Sequence, residues 1–210
     1  MAGSRSDSVR NRGRLLDAAR EVFAERGFAA TLDDIARHAG LGTGTAYRHF
    51  PNKQALAAEI LTEATGQIAA DAREALALSD PWQALEQFFS RAAARQARDR
   101  GLYEALTGRG DDEAQARIWP EIITAVTSLF DRAHDAGAIR ADAAPQDIAA
   151  LFALLGPAFE MSRATADDGL WRRYLALLLD GLRATGRPAL PGPPPPLSSV
   201  AAILRTGKHH

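Results

Sequence analysis

The chain has 210 residues, of which 46% are hydrophobic and 24% are charged, with a formal net charge of -1. That length allows one or two domains with a buried core, and the apolar fraction excludes wholesale disorder. The absence of cysteine excludes disulfides, thiolate metal sites and a cysteine nucleophile. No apolar run reaches the roughly 18 residues of a membrane span, and the polar N-terminus lacks the apolar core of a secretory signal. We therefore expect a cytoplasmic protein.

The charges are unevenly divided along the chain. Residues 1–53 carry nine basic and six acidic side chains, a net charge of +3, so the rest of the chain carries -4. This asymmetry indicates an N-terminal segment that faces an anion.

Nearly every long segment is predicted to be helical, because Ala, Leu, Arg, Glu and Gln dominate and alternating β-branched runs are absent. Apolar residues at helical spacing predict a first helix over residues 8–26. Thr31 and Asp34 have the spacing of a capping box that begins a second helix, which Gly40 ends. A third helix is predicted over residues 43–49, and a longer fourth helix over residues 52–78.

Beyond residue 80, turn signals divide the chain into predicted helices over residues 81–107, 112–118, 120–136, 146–164 and 168–184. Pro120 is assigned to the first position of a new helix, where its missing N–H costs nothing. The segment from Ile148 to Phe159 is apolar nearly all round, which predicts burial on more than one side. From Gly186 onward the proline-rich sequence predicts an extended tail. We expect three parts, residues 1–53, 54–185 and 186–210.

Residues 31–53 have the organisation of a helix-turn-helix, in which two short helices flank a glycine-containing turn and a third helix precedes them. Small residues at the start of the second short helix leave a nearly bare face that can approach base edges in a major groove. Tyr47, Arg48, His49 and Lys53 then supply donors suited to phosphates.

The same segment follows the pattern T-x-x-x-I-A-x-x-A-G-x-x-x-G-x-x-Y-x-H-F-x-x-K-x-x-L. In this pattern it resembles the signature of the TetR family of bacterial transcriptional regulators. One departure is Gly42, which stands where the family usually has a serine-like helix cap. Glycine is an acceptable N-cap, so the departure does not weaken the resemblance.

The resemblance implies an all-α fold of about nine helices, with an N-terminal helix-turn-helix domain and a C-terminal helical domain for ligand binding and dimerisation. It implies a homodimeric repressor, not an enzyme, that binds a palindromic DNA operator and responds to a small molecule, without a cofactor or a metal site. The DNA-binding residues would be Thr31, Thr43, Gly44, Thr45, Tyr47, Arg48, His49 and Lys53. Arg48 is the best candidate for reading a guanine. The arginines at positions 5, 10, 12 and 14 could form a flexible arm along the DNA.

The resemblance also implies an effector cavity and a dimer interface in the C-terminal domain. The predicted cavity lining is Phe88, Tyr103, Trp119 and Phe159, with Arg91, Arg95 and His134 as candidate polar groups. The predicted dimer interface is Leu151, Leu155, Trp171, Leu175 and Leu178, on the last two helices.

Three other functions compete with this interpretation. An enzyme would need a nucleophile or a metal constellation, and the sequence offers none. An architectural, non-specific DNA-binding protein would be basic throughout, whereas the positive charge here is confined to residues 1–53. A regulator controlled by a protein partner would find support in the proline-rich tail, because such segments dock in aromatic grooves.

Overall fold

The computed structural model describes residues 2–99, 112–167, 169–184, 186 and 188–196, and only the backbone of residues 2–5 and 112–119. The described residues form eight α-helices, so the predicted all-α fold is confirmed. The helices are α1 (Ala2–Arg26), α2 (Leu32–His38), α3 (Thr43–His49), α4 (Lys53–Leu76), α5 (Pro81–Arg98), α6 (Asp112–Asp135), α7 (Asp147–Thr165) and α8 (Leu170–Asp180). None of them combines the length and the apolar character needed to cross a membrane.

Several helix boundaries differ from the sequence prediction. Helix α1 begins at Ala2 instead of residue 8, and α8 ends at Asp180 instead of residue 184. Residues 112–135 form one continuous helix, so the prediction that Pro120 begins a new helix is wrong. A proline inside a helix removes one backbone N–H donor and so one helical hydrogen bond. The helix can nevertheless continue through the proline where packing against the core stabilises it. The flanking residues Ile122, Ile123 and Val126 are buried in the core and supply that packing. The predicted helix over residues 81–107 ends at Arg98, and residues 100–111 lie outside the described part of the chain.

The buried side chains form two separate clusters. The head cluster lies among α1, α2, α3 and the first turns of α4, and its largest members include Leu15, Ile35 and Phe50. The body cluster lies among the rest of α4 and α5 to α8, and includes the Phe89 ring, which contacts the rings of both Phe88 and Phe152. The head cluster continues to Ile60, beyond the predicted domain boundary at residue 53. Helix α4 therefore contributes apolar residues to both clusters.

The segment after α8 is tied to the body. Residues 139 and 183 form an isolated antiparallel bridge, with Arg140 N–H donating to Leu182 O at 2.9 Å. Farther along, Arg140 donates to Pro188 O at 2.8 Å, and Leu190 N–H donates to a carboxylate oxygen of Asp142 at 2.6 Å. The hydrogen bond from the Arg140 guanidinium and the one from Leu190 N–H hold the pKa of Asp142 well below its usual range. Part of the segment predicted to be an extended tail is therefore hydrogen-bonded to the body.

Helix α6 is anchored to the end of α4 by Arg132. Its guanidinium donates to the carbonyl oxygens of Leu76 at 2.7 Å, Leu78 at 2.6 Å and Ser79 at 2.8 Å. The carbonyls at a helix C-terminus lack partners within the helix, and Arg132 satisfies several of them at once.

We predict that Arg132→Ala lowers the free energy of unfolding by about 2 kcal/mol, because charge-assisted hydrogen bonds to partly buried carbonyls are lost. Urea denaturation measures the change. Arg73→Ala, at an exposed arginine in the last turn of α4, is the matched control and should change stability by less than about 0.5 kcal/mol. Equal effects of the two substitutions would show that Arg132 does not anchor α6 to α4.

Candidate nucleic-acid interface

The turn between α2 and α3 depends on glycine at position 40. Gly40 has a φ of 64°, and a Cβ added there would lie 3.1 Å from the guanidinium of Arg14. The following N–H, of Leu41, donates to Ala36 O at 2.9 Å and closes the end of α2. This local geometry sets α3 against α2 in the arrangement of a helix-turn-helix.

Helix α3 is anchored on one side and open on the other. Ala46 and Phe50 are buried in the head cluster, whereas Thr43, Gly44 and Arg48 are exposed and Tyr47 is 51% exposed. A Cβ added at Gly44 would meet nothing within 4 Å, so the start of α3 is open to a close approach. Thr45 and His49 are half-buried at the margins of this face.

The Arg48 side chain lies along its own helix. Its Nε donates to Gly44 O and its Nη2 donates to Thr45 Oγ1, both at 3.1 Å. A base contact would require the guanidinium to leave these two acceptors. Because both hydrogen bonds are exposed, the rearrangement costs little.

Thr31 caps α2 as its spacing predicts, but its donors are engaged. Its Oγ1 accepts from Asp34 N–H at 3.1 Å, while its own N–H and hydroxyl donate to Asp34 Oδ2 at 3.0 and 2.6 Å. These hydrogen bonds lower the pKa of Asp34. The hydroxyl and N–H of Thr31, a predicted DNA-binding residue, therefore face a carboxylate in this structure.

Lys53 also has a partner within the protein. Its Nζ donates to Phe28 O at 2.6 Å and lies 4.6 Å from the centre of the Phe28 ring. Partial burial lowers the pKa of this ammonium. In this structure the Lys53 side chain joins the start of α4 to the residues that follow α1. The phosphate contact predicted for Lys53 stays a prediction.

The N-terminal arginines form no flexible arm where the structure describes their side chains, so that expectation is wrong for Arg10, Arg12 and Arg14, which lie within α1. Arg12 lies 4.4 Å from the centre of the Phe50 ring, donates to His49 O at 3.2 Å and pairs with Glu59. The side chain at position 5 lies outside the described part.

Arg12 is thus a site residue that the sequence reasoning assigned wrongly. It contacts both the end of α3, the predicted recognition helix, and a carboxylate of α4. The sequence around Arg12 does not indicate these two contacts, because His49 and Glu59 are distant from it along the chain.

The predicted effector residues fall into two groups. Phe88 and Phe159 are fully buried core residues, and neither lines the open cavities of about 670, 490 and 210 Å³ that described residues form. The side chains of Tyr103 and Trp119 lie outside the described part. Arg91 and Arg95, named as candidate polar groups, line the 490 Å³ cleft. His134, the third candidate, lines the 670 Å³ cavity beside the segment after α8.

The predicted dimer residues lie mainly on the inner side of α7 and α8. Leu155, Trp171 and Leu175 are buried in the core of their own chain, which leaves little surface for a partner, while Leu151 and Leu178 are half-buried. The exposed apolar side chains of these two helices are Leu154, Met161, Tyr174 and Leu177.

Comparison with known proteins identifies the class to which this architecture belongs. Residues 15–60 match the model of bacterial regulatory proteins of the tetR family, and residues 80–184 match the model of the SbtR-like transcriptional regulator C-terminal domain. The second match covers half of the chain. The chain belongs to the TetR family of bacterial transcriptional regulators, and residues 15–60 contain its helix-turn-helix.

Similar proteins with solved structures share nearly the whole chain. A TetR transcription regulatory protein from Mycobacterium vanbaalenii is 35% identical, with a TM-score of 0.57, and the match covers 85% of this chain and 98% of that one. FadR from Bacillus subtilis, solved in complex with stearoyl-CoA, is 22% identical, with a TM-score of 0.64, and the match covers 81% of this chain and 98% of that one. At that identity the second likeness concerns the fold alone.

Curated relatives match over a part of the chain. The transcriptional activator FasR of Mycolicibacterium smegmatis is 39% identical over 75 residues, which are 35% of this chain and 34% of FasR. The match therefore spans about a third of that relative's length.

Proposed function

We propose that this chain is a sequence-specific, DNA-binding transcriptional repressor that acts as a homodimer on a palindromic operator and is released by a small molecule. The observation that carries the proposal is the geometry of α3. Its buried side fixes it to the head cluster, while Thr43, Gly44, Tyr47 and Arg48 remain exposed on the opposite side. A short helix held in this way is suited to entering a major groove.

The proposed homodimer would form through α7 and α8. Leu154 is 65% exposed and Leu177 is 60% exposed, and Met161 and Tyr174 extend the apolar surface along the same two helices. Burying such side chains against a second copy would be favourable by the hydrophobic effect. A symmetric pair would then present two α3 helices to a palindrome, with half-sites about one turn of DNA, roughly 34 Å, apart.

Helix α4 is the proposed connection between effector and DNA. At its start, Glu59 pairs with Arg12, which holds the end of α3, and Glu63 pairs with Arg20 of α1. Farther along, α4 packs against α5 and α6 in the body. A ligand that favours a different position of α4 would therefore shift the spacing of the two heads and lower DNA affinity, provided that it binds the two states unequally.

Selection of bound sequences from a random DNA pool, repeated at two salt concentrations, tests the proposal. A palindromic consensus with half-sites about one turn apart is expected. Binding without any consensus, which simply falls as salt rises, would instead identify a non-specific DNA-binding protein. If the protein selects a consensus, but a partner protein and no small molecule changes its DNA binding, it is a regulator controlled by a protein partner.

We predict that Arg48→Ala relaxes the preference at one base position of each half-site, with a discrimination loss of about 1–3 kcal/mol at that position. Arg37→Ala is the matched control, since it removes one equally exposed arginine from α2 of the same head. The control should leave the consensus unchanged. Repeating the selection with each variant measures both effects, and an unaltered consensus for Arg48→Ala would contradict the assigned role.

A further inference from the structure

A small cavity of about 210 Å³ lies where α5, α7 and α8 meet. Three arginines line it, Arg98, Arg163 and Arg172, and none of its lining residues in the described part of the chain carries a carboxylate. The rest of its lining is Ala94, Ala97, Ser162 and Trp171. Glu160 pairs with Arg163 and offsets part of its charge. The positive charge that remains around the cavity is repulsive, and an anion placed among the arginines would relieve that repulsion.

Two of the three arginines, Arg163 and Arg172, are held in place by the body of the protein. Arg163 donates from Nη1 to Ala97 O at 3.1 Å and from Nη2 to Glu160 at 2.8 Å. Its Nε is buried and has no hydrogen-bond partner among the described residues. Arg172 lies over the ring of Trp171 at 4.4 Å, and Trp171 N–H donates to Ser162 Oγ at 3.1 Å. The guanidinium groups of Arg163 and Arg172 are thus preorganised, and Nε of Arg163 remains available to donate to a ligand.

The small cavity adjoins the 490 Å³ cleft, because Ala94 and Arg98 line both. In contrast to the small cavity, the cleft has mixed charge. Its polar lining consists of Gln67, Asp71, Glu74, Arg91, Arg95, Arg98 and Asp99. Asp71 is nearly fully buried and is held by Arg95 at 2.7 Å, while Nη1 of Arg95 is buried without a partner in the described part of the chain.

We propose that these adjoining cavities bind a compact organic anion. Its carboxylate or phosphate group would lie among Arg98, Arg163 and Arg172, and a hydroxyl-bearing body would extend into the cleft toward Asp71 and Arg95. A hydroxyl can accept from the buried Nη1 of Arg95 and donate to the Asp71 carboxylate, whereas an alkyl chain would leave that Nη1 without a partner.

The inference deepens the proposed function, on which its regulatory role rests, by naming the chemical class of the effector. Gln67, Asp71 and Glu74 belong to α4, so an occupant of the cleft would contact the helix that leads to the DNA-binding head. Binding itself, by contrast, requires no activity of the head.

Isothermal titration calorimetry of the full chain tests the inference, with glucose 6-phosphate, glucose and hexyl phosphate as probes. Glucose 6-phosphate is expected to bind at least about tenfold more tightly than glucose, since it adds the charged group that the arginines would meet. It is also expected to bind more tightly than hexyl phosphate, which lacks hydroxyls for the cleft.

Two arginine variants separate the site from general charge effects. Arg172→Gln should weaken binding of glucose 6-phosphate about tenfold, because it removes one charge from the cavity. Arg183→Gln is the matched control: this arginine also lies over a tryptophan ring, Trp82, at 3.9 Å, but outside both cavities of the proposed site. The control should change the affinity less than twofold.

Equal affinity for glucose 6-phosphate and glucose, no binding of either, or equal losses in Arg172→Gln and Arg183→Gln would overturn the anion site. Tighter binding of hexyl phosphate than of glucose 6-phosphate would contradict the proposal that the body of the ligand carries hydroxyl groups. If the wild type selects a DNA consensus but binds no probe, this inference fails and the proposed function stands. If it binds the probe but selects no consensus, the proposed function fails and the anion site stands.

Discussion

Replacing Leu177 by glutamate is expected to convert the proposed dimer into monomers and to lower operator affinity by about 10²–10⁴-fold. Leu177 is 60% exposed on α8, so the substitution leaves the core of the chain intact. In a dimer formed through α7 and α8 the new carboxylate would be buried against an apolar surface without a partner, which is strongly unfavourable. The loss in operator affinity follows because two linked heads bind a palindrome with a high effective concentration, and separate heads do not.

Analytical ultracentrifugation measures the oligomeric state, and titration of the selected operator measures the affinity. Leu190→Glu is the matched control, because Leu190 is likewise exposed but lies on the segment after α8. It is held there through its backbone N–H, which the substitution retains. The control should remain dimeric. A Leu177→Glu protein that sediments as a dimer would place the interface on another surface.

The residues chosen for this prediction differ from those that the sequence indicated. In a helix that is apolar nearly all round, such as α7, the pattern does not say which side meets the protein's own core. Neighbouring positions point about 100° apart, so Leu154 and Leu155 lie on different sides of the helix. The sequence indicated Leu155, which is buried, whereas Leu154 is exposed. Only the packing of α7 against α8 and α5 decides between them.

The head was more predictable than the body because its signals are local. The capping box of Thr31 and Asp34, the glycine turn at Gly40 and the ends of α2 and α3 all follow from residues within a few positions of one another. In contrast, Arg12 and Lys53 find their partners at separations of 25 to 47 residues, which no short pattern reports. Donors that looked free for phosphates are therefore held by the fold itself.

The second large effect is expected in the head. We predict that Phe50→Ala destabilises the head by about 3–5 kcal/mol, the usual cost of truncating a buried phenylalanine. Phe50 is 2% exposed, packs in the head cluster at the end of α3 and carries the guanidinium of Arg12 over its ring. Its loss would leave a cavity and remove the contact that joins the recognition helix to α1, so DNA binding should disappear before the body unfolds.

The distribution of tryptophan allows the two parts to be followed separately. All three tryptophans, Trp82, Trp119 and Trp171, lie after residue 80, so their fluorescence reports on the body alone, whereas circular dichroism at 222 nm reports on every helix. In Phe50→Ala, part of the helical signal should be lost at a lower urea concentration than the fluorescence signal. In the matched variant Phe88→Ala, whose truncated ring belongs to the body cluster, the fluorescence transition itself should shift.

Coincident helical and fluorescence transitions in Phe50→Ala would show that the head and the body unfold as one unit. That outcome has a physical basis, because α4 supplies Leu56 and Ile60 to the head cluster and Leu61 and Ile68 to the body cluster. Separate transitions would show instead that α4 can fray at its start while its remainder stays packed. Because the proposed release of DNA requires the heads to move relative to the bodies, we expect separate transitions.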